Sequence, residues 1–426
     1  MKIISLSTEQ APPISIPLRF FITAPLFLLL AGIMLVSDAG NPFANIHSPT
    51  LLAVTHCITL GFMAMIMQGA MQQILPVVVG RAMPIPWLTA WLTFLPLILG
   101  TLLLSTGLLL SNPVLLNLAW PLLGLAFITF ISASLISLLQ APARNHTKTA
   151  ILLSILALAG TIALGMLLAH GHANGSILPY AKLTTAHIGL SLGGWVMLLI
   201  VGVSYQVVPM FQITPNYPDW LGIGLTPAIF IVLLLSLLPP LFKSELHQVA
   251  IITKSIFWFL ASCFAVTTLM LQSKRRRRVA DATLSFFRLG MVSLICAAVL
   301  GFANLFYPDT DRLGMLSAIF FLLGFSISLM HGMLYKIVPF LVWFHLFRSG
   351  VKIGVPHMKE IIPENWMWRH LLLHCSTLFA AIFSLWWDMA VWLVSLGLLL
   401  QGSILGYALI TAILLYQRTL KRIEEI

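Results

Sequence analysis

Long apolar runs recur from one end of this chain to the other, and they leave few folds open. A run of eighteen or more apolar residues is the length of helix that crosses a bilayer. Over 426 residues, 59% are hydrophobic and only 8% charged, too little polar surface to clothe a soluble body of this size. The chain therefore reads as an all-α, multi-pass membrane protein whose first partner is the lipid bilayer. The predicted spans are 18–37, 51–79, 86–110, 114–139, 148–170, 180–211, 220–241, 248–271, 284–305, 313–347, 370–387 and 390–416, twelve in all. The polar segment before the first span lacks a small-residue cleavage site, so that span reads as an uncleaved helix.

The second, sixth and tenth spans share a pattern. Residues 61–76 read GFMAMIMQGAMQQILP, residues 194–209 GWVMLLIVGVSYQVVP, and residues 324–339 GFSISLMHGMLYKIVP. Each sets Gly, seven residues, Gly, six residues, Pro: Gly61, Gly69, Pro76; Gly194, Gly202, Pro209; Gly324, Gly332, Pro339. The second glycines are 133 and 130 positions apart, the length of four membrane helices and too long for a solenoid repeat. The pattern predicts one integral membrane domain over 1–426, built from units near 16–145, 146–278 and 279–426. Small residues let neighbouring helices approach closely in a membrane. Polar residues precede each proline: Gln72 and Gln73, Tyr205 and Gln206, Tyr335 and Lys336. They read either as packing and interfacial anchors or as the lining of equivalent internal channels.

Charge gives the orientation. With the N-terminus cytoplasmic, the inner side collects Lys2, Arg81, Arg144, Lys148, the run Lys274 to Arg278, Arg348, Lys352, Lys359, Arg418, Lys421 and Arg422. The outer side keeps Lys182, Lys243 and Arg312. That asymmetry fits a bacterial inner-membrane protein with both termini inside. The net charge of +11 thus reports topology and not nucleic-acid binding. Cys57, Cys263, Cys296 and Cys375 lie in apolar runs without CxxC spacing and read as packing residues.

Twelve histidines are many for a chain with so few charges. His56 and His187 lie 13 and 15 positions before Gly69 and Gly202, so both stand ~20 Å outward of their glycines. Imidazole ligates haem iron, copper or zinc, and a histidine within a span is a functional candidate. The alternative is an interfacial histidine bonded to a backbone carbonyl. His170 and His172 form an HxH that could complete a copper or haem site with His187, or lie in a solvated loop. His331 directly precedes Gly332 and reads as an axial haem ligand or a core histidine. His345 ends the tenth span. His370 and His374 share a helix face by i, i+4 spacing, a weak metal signal. Met63, Met67 and Met71 continue the face of His56 if the helix is regular, and read as packing or a copper(I) stripe.

With twelve helices in three four-helix arcs and histidines on the second, sixth and tenth, the chain resembles the core subunit of the haem–copper oxidases, and in PLRFF, GAMQQILPVV, GVSYQVVPMFQ and MLYKIVPFLVWFH it resembles the uncharacterised oxidase-like bacterial proteins of that superfamily. It is also similar to the NnrS-type membrane proteins linked to nitric oxide stress. The resemblance implies three four-helix arcs, with haem and copper as cofactors. It implies His56 at a haem position and His187 at the catalytic copper position, with His331 and His345 as further cofactor-binding candidates. A respiratory-chain or redox partner is implied as well. Three departures argue against terminal oxidase activity. The depth-matched stretch of the tenth span, Ser317 to Ile319, has no histidine; 220–241 has none; and Ser191 stands where a tyrosine would follow the sixth-span ligand. The acidic residues lie in termini, loops or helix ends, Asp388 reading as the most buried and Lys336 as the one cation well inside a repeat helix. Rival readings are a small-solute or metal transporter and a non-catalytic respiratory assembly subunit.

Overall fold

The computed structural model describes residues 12–37, 40–237, 247–276, 279, 281–307, 311–348 and 355–424. Every regular element among them is helical. The long helices are α1 Ser15–Leu35, α2 Pro49–Val79, α3 Pro86–Leu109, α4 Pro113–Gln140, α5 His146–Asn174 and α6 Tyr180–Gln212. They continue as α7 Asp219–Ser236, α8 Gln248–Ser273, α9 Ala282–Ala303, α10 Arg312–Arg348, α11 Glu364–Phe383 and α12 Ala390–Glu424. Eleven of these are long and apolar enough to cross a membrane. The exception is α11, where the sequence predicts a span over 370–387. It has 20 residues, but Glu364, Arg369, His370 and His374 make it too polar. Lys2, Lys243, Arg277, Arg278 and Lys352 lie outside the described residues, as does the side chain of His247.

Local chemistry sets where the helices begin. Ser48, Asn112 and Asn145 accept hydrogen bonds from the first-turn amides of α2, α4 and α5, and proline opens α2, α3 and α4. Hydroxyls inside the helices turn back to the preceding turn, as Thr23 does to Arg19 O and Thr161 to Ala157 O. Large apolar side chains such as Leu26, Leu99, Leu118, Ile128, Val299 and Leu396 are exposed along the spans. Lipid is the solvent that such a surface suits.

The three repeat helices share a feature that the sequence does not announce. Each is interrupted by eight residues of π-helix: Cys57–Ala64 in α2, Gly189–Val196 in α6 and Phe320–Ile327 in α10. These segments begin 12, 13 and 12 positions before Gly69, Gly202 and Gly332. Wider i→i+5 turns change the angular register. Met63, Met67 and Met71 are all buried, but the regular-helix spacing that would align them below His56 does not hold across Cys57–Ala64.

The second repeat glycines make one contact three times. A Cβ at Gly69 would stand 3.3 Å from Pro17 O and 2.8 Å from Phe20 Cβ. At Gly202 it would meet Thr147 O at 3.6 Å and the Cβ of Ala150. At Gly332 it would stand 3.1 Å from Thr283 O and 2.9 Å from Phe286 Cβ. In each case a carbonyl and the Cβ three residues later, at the start of α1, α5 or α9, press on the glycine. The sequence repeat is a packing repeat.

Contacts divide the chain into two compact units. One comprises Met1–Pro12, Met71–Arg278 and Met291–Phe321; the other Pro13–Ala70, Val279–Gly290 and Leu322–Ile426. Each unit draws on more than one of the repeats expected from sequence. Within the second unit α1 lies along α12, and α11 and the C-terminal part of α10 also pack on α12.

Candidate functional site

The histidines singled out by position fall into two kinds of environment. His56 lies at the N-terminal end of α2, immediately before the π segment. Its Nδ1 is 2.8 Å from Leu52 O. His187 lies two residues before the π segment of α6, with Nδ1 3.0 Å from Thr161 O and its ring against Gly165. A carbonyl can only accept, so Nδ1 carries the proton in both rings and the lone pair is on Nε2. An interfacial histidine would make that bond. A metal-ligating histidine also makes it, since the carbonyl fixes the tautomer and turns the ring. His345 is fixed in the same way by Leu341 O at 2.9 Å. His170 stays local: it meets Trp120 edge to face and lies 3.2 Å from Asn174 Nδ2. His172 tilts against Tyr180, with ring centroids 4.8 Å apart. Among the described residues, no group of three His, Cys, Asp or Glu side chains is disposed to hold a metal ion.

The polar residues of the repeats also divide. Gln72 and Gln73 are buried, and Gln72 has no hydrogen-bond partner for either amide atom among the described residues. The Tyr205 hydroxyl donates to Leu221 O at 3.3 Å, and its ring meets Tyr217 edge to face. Gln206 is half-buried one position further on. Lys336 Nζ reaches Asp281 Oδ2 at 2.9 Å, just before α9. Asp281, and not Asp388, is thus the acidic residue drawn into the helices. Asp388 is exposed and bonds Asn41 Nδ2 at 2.8 Å, at a cavity of about 90 Å³. A larger cavity of about 560 Å³ lies beside Arg81 and Gln140, and neither cavity is lined by histidine.

The structure brings together a group that sequence spacing gave only in part. His331 of α10 meets His370 and His374 of α11, with ring centroids 4.3 and 5.2 Å away. All three have no exposed surface. The rings of Phe62 and Phe286 stand edge-on to His331 at 5.3 and 5.9 Å. Tyr335, one turn along α10, places its hydroxyl 2.7 Å from His370 Nδ1.

The hydrogen bonds around His374 have one direction. Thr377 donates to Leu373 O at 2.8 Å, so its oxygen must accept from Gln401 Nε2 at 2.9 Å. That turns Gln401 Oε1 toward His374 Nδ1, 2.7 Å away, and makes this nitrogen the donor. His374 Nε2 then holds the lone pair and accepts from Ser328 Oγ at 2.8 Å. Both nitrogens of His374 are therefore committed. By contrast His331 Nδ1, His331 Nε2 and His370 Nε2 have no partner among the described residues. Each such buried atom costs about 1–3 kcal/mol of desolvation. Gln401→Ala should break the His374 relay and lower stability by about 2 kcal/mol, measured by thermal unfolding in detergent. An unchanged midpoint would mean that the relay carries no stability.

No family model and no curated protein matches this chain. Among solved structures it is similar to a haem–copper terminal oxidase, determined by cryo-electron microscopy as a dimer. That likeness has a TM-score of 0.59 at 13% sequence identity, over 93% of this chain and 83% of the oxidase chain. At that identity it speaks for the fold alone: this is a multi-pass, all-helical membrane protein with a distant oxidase-like fold.

Proposed function

We propose that this chain is a haem-binding, oxidase-like protein of the bacterial inner membrane that handles electrons, haem or copper, or nitric oxide, without working as a terminal oxidase. His56 and His187 carry this reading. They stand at the mouths of matching π segments on two repeat helices, each with Nδ1–H given to a carbonyl and the lone pair on Nε2. π-Helical insertions are frequent at functional sites, and a backbone-fixed imidazole is the donor that haem iron or copper accepts. The matching placement of the two histidines supports haem at His56 and haem or copper at His187. Bound haem supplies one-electron exchange and an iron centre for a diatomic gas. The recurrent π segments and glycine contacts support three four-helix arcs, with α11 as the twelfth membrane helix. The excess of Lys and Arg on one side supports cytoplasmic termini.

The departures from an oxidase support the limit on activity. At the level of α10 matching His56 stands Ile319, and Ser317 there donates to Ala297 O at 2.8 Å. Absorption spectra of the purified His56→Ala, His187→Ala and His345→Ala variants test the reading. His56→Ala or His187→Ala should abolish the reduced α-band, and His345→Ala should leave it. Loss confined to His345→Ala would overturn the assignment. A normal spectrum in both the His56→Ala and His187→Ala variants would overturn it too.

A further inference from the structure

The buried group on α10 and α11 has no part in that reading, and its chemistry points elsewhere. Three imidazole nitrogens of two touching rings lack partners among the described residues in a fully buried site, while the third ring is locked by Ser328 and Gln401. An unpaired polar atom in such a place calls for an occupant.

We propose that His331 and His370 form a metal site for a single copper(I) ion, with His374 as a positioning residue. Several observations select the ion. Two rings offer nitrogens, and no group of three potential ligands is disposed to close around a metal among the described residues. Structural zinc asks for four protein ligands and catalytic zinc for three. Calcium and magnesium ask for oxygens. Copper(I) is content with two nitrogen donors, and its single charge is the least costly to bury. The rings of Phe62 and Phe286 flank the imidazoles and help shut out water. Tyr335 holds the far side of the His370 ring. Once His370 Nε2 is on the metal, Nδ1 carries the proton and donates to the Tyr335 oxygen at 2.7 Å. His331 and His370 are in contact, with ring centroids 4.3 Å apart, and turning the rings apart would let one nitrogen of each face a single ion.

The sequence alone hides this site. His331 and His370 are 39 positions apart and on different helices, and the residue matching His331 in the first repeat is Gln68. Gln68 is also fully buried with both amide atoms unpartnered among the described residues, so this repeat position is polar twice.

The test uses the full chain in detergent, loaded anaerobically with copper(I), desalted and assayed for copper per chain. A copper(I)-selective chelator is then titrated in. The wild type should retain one copper that His331→Ala and His370→Ala each weaken at least 100-fold. His331→Met, which substitutes a thioether, should restore most of the binding and guards against a variant that merely misfolds. X-ray absorption of the loaded wild type should report nitrogen ligands only. The proposal is overturned if the chain retains no copper, which would leave water as the occupant. It is also overturned if copper survives in His331→Ala and His370→Ala, or is lost only in His56→Ala or His187→Ala. A haem spectrum recorded on the same samples separates the two proposals, because the haem reading does not depend on His331 or His370.

Discussion

Gly332→Val should leave little folded protein in the membrane. The first carbon of the new side chain would lie 3.1 Å from Thr283 O and 2.9 Å from Phe286 Cβ, and neither backbone-borne atom can swing away. Overpacking a close contact costs about 1–3 kcal/mol for each small group added, and valine adds three carbons. Phe286 also lies against His331, His370 and His374, so displacing it would spread the damage to the histidine group. Gly202→Val should behave alike, because Ala150 and Thr147 O hold the same positions there. Gly224→Ala is the control: a Cβ there meets nothing within 4 Å, so the change should be neutral or stabilise α7 by up to about 1 kcal/mol. Yield and thermal midpoint in detergent decide. Equal behaviour of the Gly332 and Gly224 variants would mean that the repeat glycines do not serve close approach.

Asp281→Asn should lower stability by about 3 kcal/mol, by leaving the Lys336 ammonium without its counter-charge in a largely buried place. Asparagine can still accept from the Thr283 amide and hydroxyl, which Asp281 Oδ1 meets at 2.9 and 2.7 Å, so the loss reports the ion pair and not the helix start. Pairing Asp281→Asn with Lys336→Met should recover most of the loss. A double variant no better than the single one would deny the coupling. The pair also sets an acid limit. Burial pushes the Asp281 carboxyl up, but Lys336 and the Thr283 donors outweigh it and hold the carboxyl down, at about 2. A carboxyl depressed in the folded state stabilises it above the ordinary carboxylate range, and that contribution fades as pH falls. It should be present above about pH 4 and fade as pH falls through about 2.

How much of this was legible in the sequence follows from which interactions are local. Hydropathy located the spans to within a few residues at most ends, because membrane length and apolar composition are properties of contiguous sequence. It also placed a span over α11, which is less apolar than the other eleven because its histidines make it polar. The frame of Gly69, Gly202 and Gly332 was visible as spacing, but its meaning was not: the carbonyl against each glycine belongs to a different helix. The π segments left no mark, since no residue type dictates an i→i+5 turn. His56 and His187 were singled out because depth on a helix can be counted. His331, His370, His374 and Gln401 were not grouped, because they come from three helices and meet only through the fold. Asp388 looked the more buried carboxylate because apolar residues flank it in sequence. Asp281 is the one that is paired, because Lys336 reaches it from α10.

We propose haem in an oxidase-like fold that has no oxidase dinuclear centre. The most direct test is the reduced-minus-oxidised absorption spectrum of the purified full chain from haem-replete membranes, with oxygen uptake followed on the same sample. A Soret band with reduced α-bands and no oxygen consumption is the result predicted. A preparation without any haem absorption, or one that reduces oxygen at the rate of a terminal oxidase, would contradict it.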